Sequence, residues 1–274
     1  MKKFISNKYT LFALGTLFVI ALWFILSACF DTNNGIFPSP IATFQEFGVL
    51  LTKPYSYQCL GYTFLRMLIG FAVSFALALI IGIPAGNHSQ VHTFLKPLMT
   101  TIKSIPTVAL VFLFVVMVAP KNAPIFVVVI VCFPILYEAV AGGIRKVDQQ
   151  VDYAAQIDGA GYFQRVLFIK LPLSIPYILV GIASSFSLSF KLEIMAEVIT
   201  GFTKNGLGSV IHFVRQEDPT NLTGVFAYSL FAIIFMLLIS LLETAIKQKF
   251  SKQTNWLIII NAINYLYRRQ YIWN

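Results

Sequence analysis

The chain has 274 residues, 58% of them hydrophobic and only 11% charged, against about 25% charged in a soluble domain. So few charges cannot cover a water-facing surface. That excludes a soluble globular enzyme, a disordered chain and a disulfide scaffold, and leaves an all-α polytopic membrane protein, with a mean hydropathy of +0.78. The net charge of +9 comes from basic residues scattered between apolar stretches, so it reads as a cytoplasmic basic excess that sets orientation and not as a nucleic-acid footprint.

In chain order, Leu11–Phe30 is an uncharged run long enough to cross a hydrocarbon core. Lys2, Lys3 and Lys8 precede it, but the run exceeds a signal-peptide core, so it is expected to be a retained helix. Pro38 and Pro40 mark a turn, and Phe44, Phe47, Leu50 and Leu51 then recur at helical spacing, as in a short helix lying against the membrane or the bundle. A second span is expected over about 62–83, with Arg66 snorkelling near one end and Pro84–Asn87 ending it. A third covers about 96–118 and is expected to kink near Lys103 and Pro106. A turn at Ala119–Pro124 leads to a fourth over about 125–137. The polar stretch 138–170 follows, then a fifth span over about 173–190, a polar glycine-bearing region over 191–224, and a sixth span over about 225–242. Residues 250–274 form a basic, aromatic tail. Its apolar part, Trp256–Tyr267, is too short to span and suits an interfacial helix.

With the N-terminus placed inside, 14 of the 20 basic residues fall in cytoplasmic segments and 6 outside. That asymmetry predicts six spans with both termini cytoplasmic, and it places 138–170 in the cytoplasm. Within that stretch, Ala154, Ala155 and Gly159 offer a low-relief surface that another protein could approach. Pro172 suits the start of the next helix, because the N–H it lacks would be unpaired there.

The spacing Ala154-Ala155, three residues, Gly159, nine residues, Ile169-x-Leu171-Pro172 resembles the cytoplasmic signature of the membrane (permease) subunit of binding-protein-dependent ATP-binding-cassette importers. Tyr153 stands where that family often has Glu. Phe37-Pro38-Ser39-Pro40, Arg66–Phe71, Ser104-Ile105-Pro106, Ala196-Glu197 and Gly206-Leu207-Gly208 resemble the subfamily moving nitrate, sulfonates, taurine or vitamin precursors. The likeness covers roughly 35–245.

The resemblance implies an ABC type I importer permease fold, with an N-terminal helix in 1–35, a core over 36–249 that contains a coupling loop at 138–172, and the tail. It implies that Tyr153, Ala154, Ala155, Gly159, Ile169, Leu171 and Pro172 form the ATPase-coupling segment, with a helix at about 152–163. Its implied partners are cytoplasmic ATPase subunits, a second permease subunit in a homodimer, an extracytoplasmic solute-binding protein and membrane lipid, with no cofactor.

Other features carry competing readings. No phosphate-binding Gly-x4-Gly-Lys-Ser/Thr loop is present, so ATP hydrolysis is expected on a partner and the chain is not itself an enzyme. His88 and His92 could share a helix face as metal ligands, but the adjoining turn and the want of a third ligand favour a solvated loop. Glu193 and Glu197, four apart, suit either an outer gate or binding-protein contact, or a headgroup-level face paired with Lys191 or Arg215. Ser184, Ser185, Ser187 and Ser189 suit a wetted pathway or helix packing. The glycines at 206 and 208 also fit a turn at positive φ. The rival function classes are a membrane-embedded enzyme, for which no convergent catalytic set is visible, and a channel or secondary transporter working without ATP.

Overall fold

The computed structural model describes residues 8–30, 37–201, 205–241, 243–245 and 248, and among these every regular element is helical. Helix α1 is Lys8–Phe30, α2 Pro40–Thr52, α3 Pro54–Asn87, α4 Ser89–Ser104, α5 Thr107–Met117 and α6 Ala123–Arg145. Then come α7 Gln149–Ile157, α8 Tyr162–Arg165, a π turn Val166–Lys170, α9 Leu171–Thr200 and α10 Leu207–Glu217, and last α11, Thr223–Ala245. Among the described residues five stretches are long and apolar enough to cross a membrane, and the bent pair α4 and α5 brings the number to six where it counts as one span. The expected tail helix lies outside the described residues.

The centre of the molecule is α6, flanked by α3 and α9. On α3, Gly70, Ser74, Ala78, Gly82 and Gly86 recur every four residues and form one narrow ridge against α6. A Cβ at Gly70 would lie 2.9 Å from the Val128 Cβ, one at Gly82 3.0 Å from that of Val140, and one at Gly86 2.7 Å from that of Ile144. Small residues let the two backbones approach, which is how helices gain packing where lipid gives no hydrophobic drive. The α6–α9 crossing works the same way: Gly181 faces Ala139, and a Cβ at Gly143 would lie 3.1 Å from that of Tyr177. By contrast α1 is exposed along most of its length. It is anchored where Trp23 Nε1 donates to the Pro38 carbonyl, 3.2 Å, just before α2, which Ser39 caps.

Several boundaries differ from the expectation. Pro84 does not end α3, which runs on to Asn87. Its neighbours in the bundle and the Asn87 amide, which donates to the Ile83 carbonyl at 2.9 Å, support the last turn. The third span is not kinked but broken: α4 and α5 meet at 94° across Ile105 and Pro106. The fourth span continues to Arg145, so Glu138 is helical and lies 3.7 Å from Arg145 one face along. The fifth continues to Thr200, because Glu193 and Glu197 turn inward while Lys191 turns out.

Candidate functional site

Two places gather the residues singled out in the sequence. The first is the turn between α6 and α9. Asp148 caps α7, accepting from the Gln150 N–H at 2.9 Å. Gly159, at φ +79°, ends α7, and the Ala160 N–H returns to the Ala155 carbonyl at 2.9 Å. The short helix expected over about 152–163, bent at its glycine, is two pieces, α7 and α8, joined by Asp158–Gly161. One carboxylate knits them. Asp152 accepts from Arg165 Nη1 at 3.0 Å and from Lys170 Nζ at 2.9 Å, which ties α7 to α8 and to the foot of α9. Tyr162 OH lies 2.9 Å from His88 Nε2, with the rings stacked, so the same turn also touches the α3–α4 joint.

The signature residues divide between two roles. Tyr153 and Ala154 are exposed, and Gly159 meets nothing where a Cβ would stand. Ala155 is buried inside the turn. Ile169, Leu171 and Pro172 lie at the base of α9, where Leu171 packs with Val140, Ile144 and Ile178. The outward face is instead apolar, with Ile157 86% exposed, Phe163 76% exposed, and Tyr153 and Phe168 beside them in the same segment. Large exposed apolar side chains beside a knot of ion pairs are what a protein partner covers. These residues are not part of the motif spacing, although their apolarity within a polar stretch was a readable signal.

The second place is the other end of α9. Glu197 is fully buried. Its Oε1 accepts from Arg66 Nη1 of α3 at 2.8 Å, and its Oε2 accepts from Thr63 Oγ1 at 2.8 Å and from the Gly208 N–H of α10 at 3.0 Å. The Leu207 N–H donates to Thr63 Oγ1 at 2.8 Å. One carboxylate thus joins three elements through charge-assisted bonds. Its partner is Arg66, not Lys191 or Arg215. Glu193, one turn earlier and also fully buried, has no hydrogen-bond partner on either oxygen among the described residues. Neither Gly206 nor Gly208 has positive φ; those torsions belong to Gly201 and Asn205. They are glycines because of space: a Cβ at Gly206 would stand 2.6 Å from Glu197 Oε1, and one at Gly208 would strike the Ile194 carbonyl.

Of the α9 serines, Ser184 and Ser189 bond to carbonyls of their own helix, Ser185 is buried, and Ser187 donates to Glu243 of α11 at 3.1 Å. His88 sits between α3 and α4, and His92 Nδ1 lies 3.1 Å from Tyr137 OH.

Against known proteins, residues 74–252 match the family model described as binding-protein-dependent transport system inner membrane component. An aliphatic sulfonates transport permease protein of Bacillus subtilis (strain 168) is 25% identical over 204 residues, 74% of this chain and 73% of the relative. The bicarbonate transport system permease protein of Synechococcus elongatus is 26% identical over 219 residues, covering 74% and 76%. The riboflavin transport system permease protein of Chloroflexus aurantiacus is 26% identical over 212 residues, covering 76% and 78%. Among solved structures, a chain of an amino acid ABC transporter superposes with a TM-score of 0.61 at 16% identity, over 72% of this chain and 94% of that one. A chain of the inward-facing MetNI methionine ABC transporter gives 0.55 at 17% identity, over 67% and 92%.

Proposed function

The chain belongs to the binding-protein-dependent transport system inner membrane component family, and from that premise we propose that it forms the membrane pathway of an importer driven by a separate cytoplasmic ATPase. The observation that carries the reading is the α7–α8 turn, which presents Tyr153, Ile157, Phe163 and Phe168 outward while Asp152 binds it to the foot of α9. A partner that grips this face moves α9 with it, and a packed helix displaced as a body is how alternating access is produced. Two copies of the chain enclose the pathway, both termini are cytoplasmic, and an extracytoplasmic binding protein delivers the solute.

At the outer end, the Arg66–Glu197 pair holds α3 and α9 together. It acts as the outer gate in its closed state, and a binding protein reaches Glu193 or Glu197 only when those helix ends part. The relatives are named for sulfonates, bicarbonate and riboflavin; a small anion is the substrate class we favour.

The test is co-purification of the whole transporter from its native membranes. Ile157→Asp with Phe163→Asp is expected to leave the chain in the membrane at normal level and remove the ATPase. If the doubly substituted chain retains a stoichiometric ATPase and transports at the native rate, the turn is only a connector. If the unsubstituted chain brings down no ATPase, a channel or secondary transporter is the better description.

A further inference from the structure

Along α4 the residues Thr93, Lys96, Thr100, Lys103 and Ser104 share one face at helical spacing, all of them exposed. The hydroxyls of Thr93, Thr100 and Ser104 donate to carbonyls of their own helix, at 2.9 Å each, and keep lone pairs turned outward. The stripe ends at the 94° break, where Ile105 and Pro106 leave the helix path and are exposed too. Among the described residues, no carboxylate lies within 4.0 Å of the Lys103 ammonium.

The depth of this elbow follows from its neighbours. Met99 and Ile102, before the break, belong to the same apolar cluster as Cys132 and Leu136; Val111 and Val115, after it, belong to that of Val127 and Val131. The break is therefore level with about the middle of α6, a 23-residue helix, and about 17 Å from either of its ends. Open backbone, hydroxyls and a lysine cannot face lipid at that depth; they are tolerated only against protein or water.

Resting on the transport reading above, we propose that this stripe and elbow line the inner half of the aqueous pathway and that Lys103 is its fixed cation, selecting a small anion of the sulfonate or bicarbonate kind. The hydroxyl row supplies acceptors to the waters around a hydrated solute, its own O–H groups being spent on helix carbonyls, and the ammonium sits where the path leaves the chain's own charges behind.

The probe is a pair of thiol reagents of similar size and opposite charge, sulfonatoethyl and trimethylammonioethyl methanethiosulfonate. They are applied to inside-out membranes carrying the whole transporter with Ser104→Cys; the parent chain gives the background, and Ile80→Cys on the outer face of α3 is the lipid control. Position 104 is expected to react and position 80 to stay silent. The anionic reagent is expected to be favoured, and Lys103→Gln to cut that preference by roughly threefold to tenfold, with Lys103→Arg restoring it. Locking the ATPase with ATP and vanadate is expected to slow reaction at 104. No reaction at 104 means that lipid or the second copy covers the elbow, and it overturns the proposal. So does a preference unmoved by Lys103→Gln. A Lys103-dependent preference indifferent to the lock means a helix at the membrane surface and overturns the pathway assignment; in each of these cases a co-purifying ATPase leaves the transport reading standing. Loss of co-purification with the Lys103-dependent preference intact has the opposite consequence.

Discussion

Glu193 and Glu197 are one helical turn apart and equally hidden, yet their surroundings are opposite. Glu197 receives bonds from Arg66, Thr63 and the Gly208 N–H, whereas both oxygens of Glu193 are without a partner among the described residues. Removing one side of a buried ion pair strands the other, so Glu197→Met is expected to destabilise the chain by about 3–5 kcal/mol. Glu193→Met removes two unsatisfied oxygens and is expected to raise stability by about 1–3 kcal/mol. Thermal unfolding of the purified variants in detergent reads both, and equal shifts of the same sign would refute the distinction. The sequence shows that the two acids share a face. It hides the partner of Glu197, because Arg66 lies 131 positions away and a lone arginine near the end of an apolar run reads as a snorkelling side chain. The tight glycines at 206 and 208 were equally illegible, since they answer to the bulk of a distant glutamate and not to a local torsion.

The number of spans was legible from apolar runs alone, but their ends were not. An expected span stops at the first charge, whereas α9 carries Glu193 and Glu197 inside its length because the bundle buries them. Likewise the ridge Gly70, Ser74, Ala78, Gly82, Gly86 is written in the sequence as small residues every fourth position, yet only the facing residues Val128, Val140 and Ile144 give it meaning. Gly82→Leu is expected to force α3 off α6, at a cost of about 1–3 kcal/mol or more, visible as a loss of monodisperse protein in size-exclusion chromatography. Gly61, on the same helix, meets nothing within 4 Å, so Gly61→Ala is expected to be neutral or to raise stability by about 0.5–1 kcal/mol. If the two substitutions behave alike, close approach is not what the ridge is for. In the α7–α8 turn, the exposed apolar side chains are the bulky neighbours of the small signature residues, and Ala155 itself is interior.

For the whole molecule, the alternation of spans sets the α7–α8 turn at one end and the Arg66–Glu197 junction at the other. Labelling with an impermeant thiol reagent on intact cells is expected to mark Lys121→Cys, and Lys146→Cys only after permeabilisation; the reverse pattern would invert the orientation. Both ends belong to one unbroken helix. From Leu171 to Thr200, α9 has 30 residues and runs for about 45 Å, with α6 packed backbone to backbone along its lower half. It is in effect a connecting rod. With the Asp152 knot as crank at its inner end, a tilt of about 10° there sweeps Glu197 through about 7 Å, more than twice its 2.8 Å bond to Arg66. A stroke delivered at one face of the membrane would thereby be geared up at the other, with no relay of side chains needed in between.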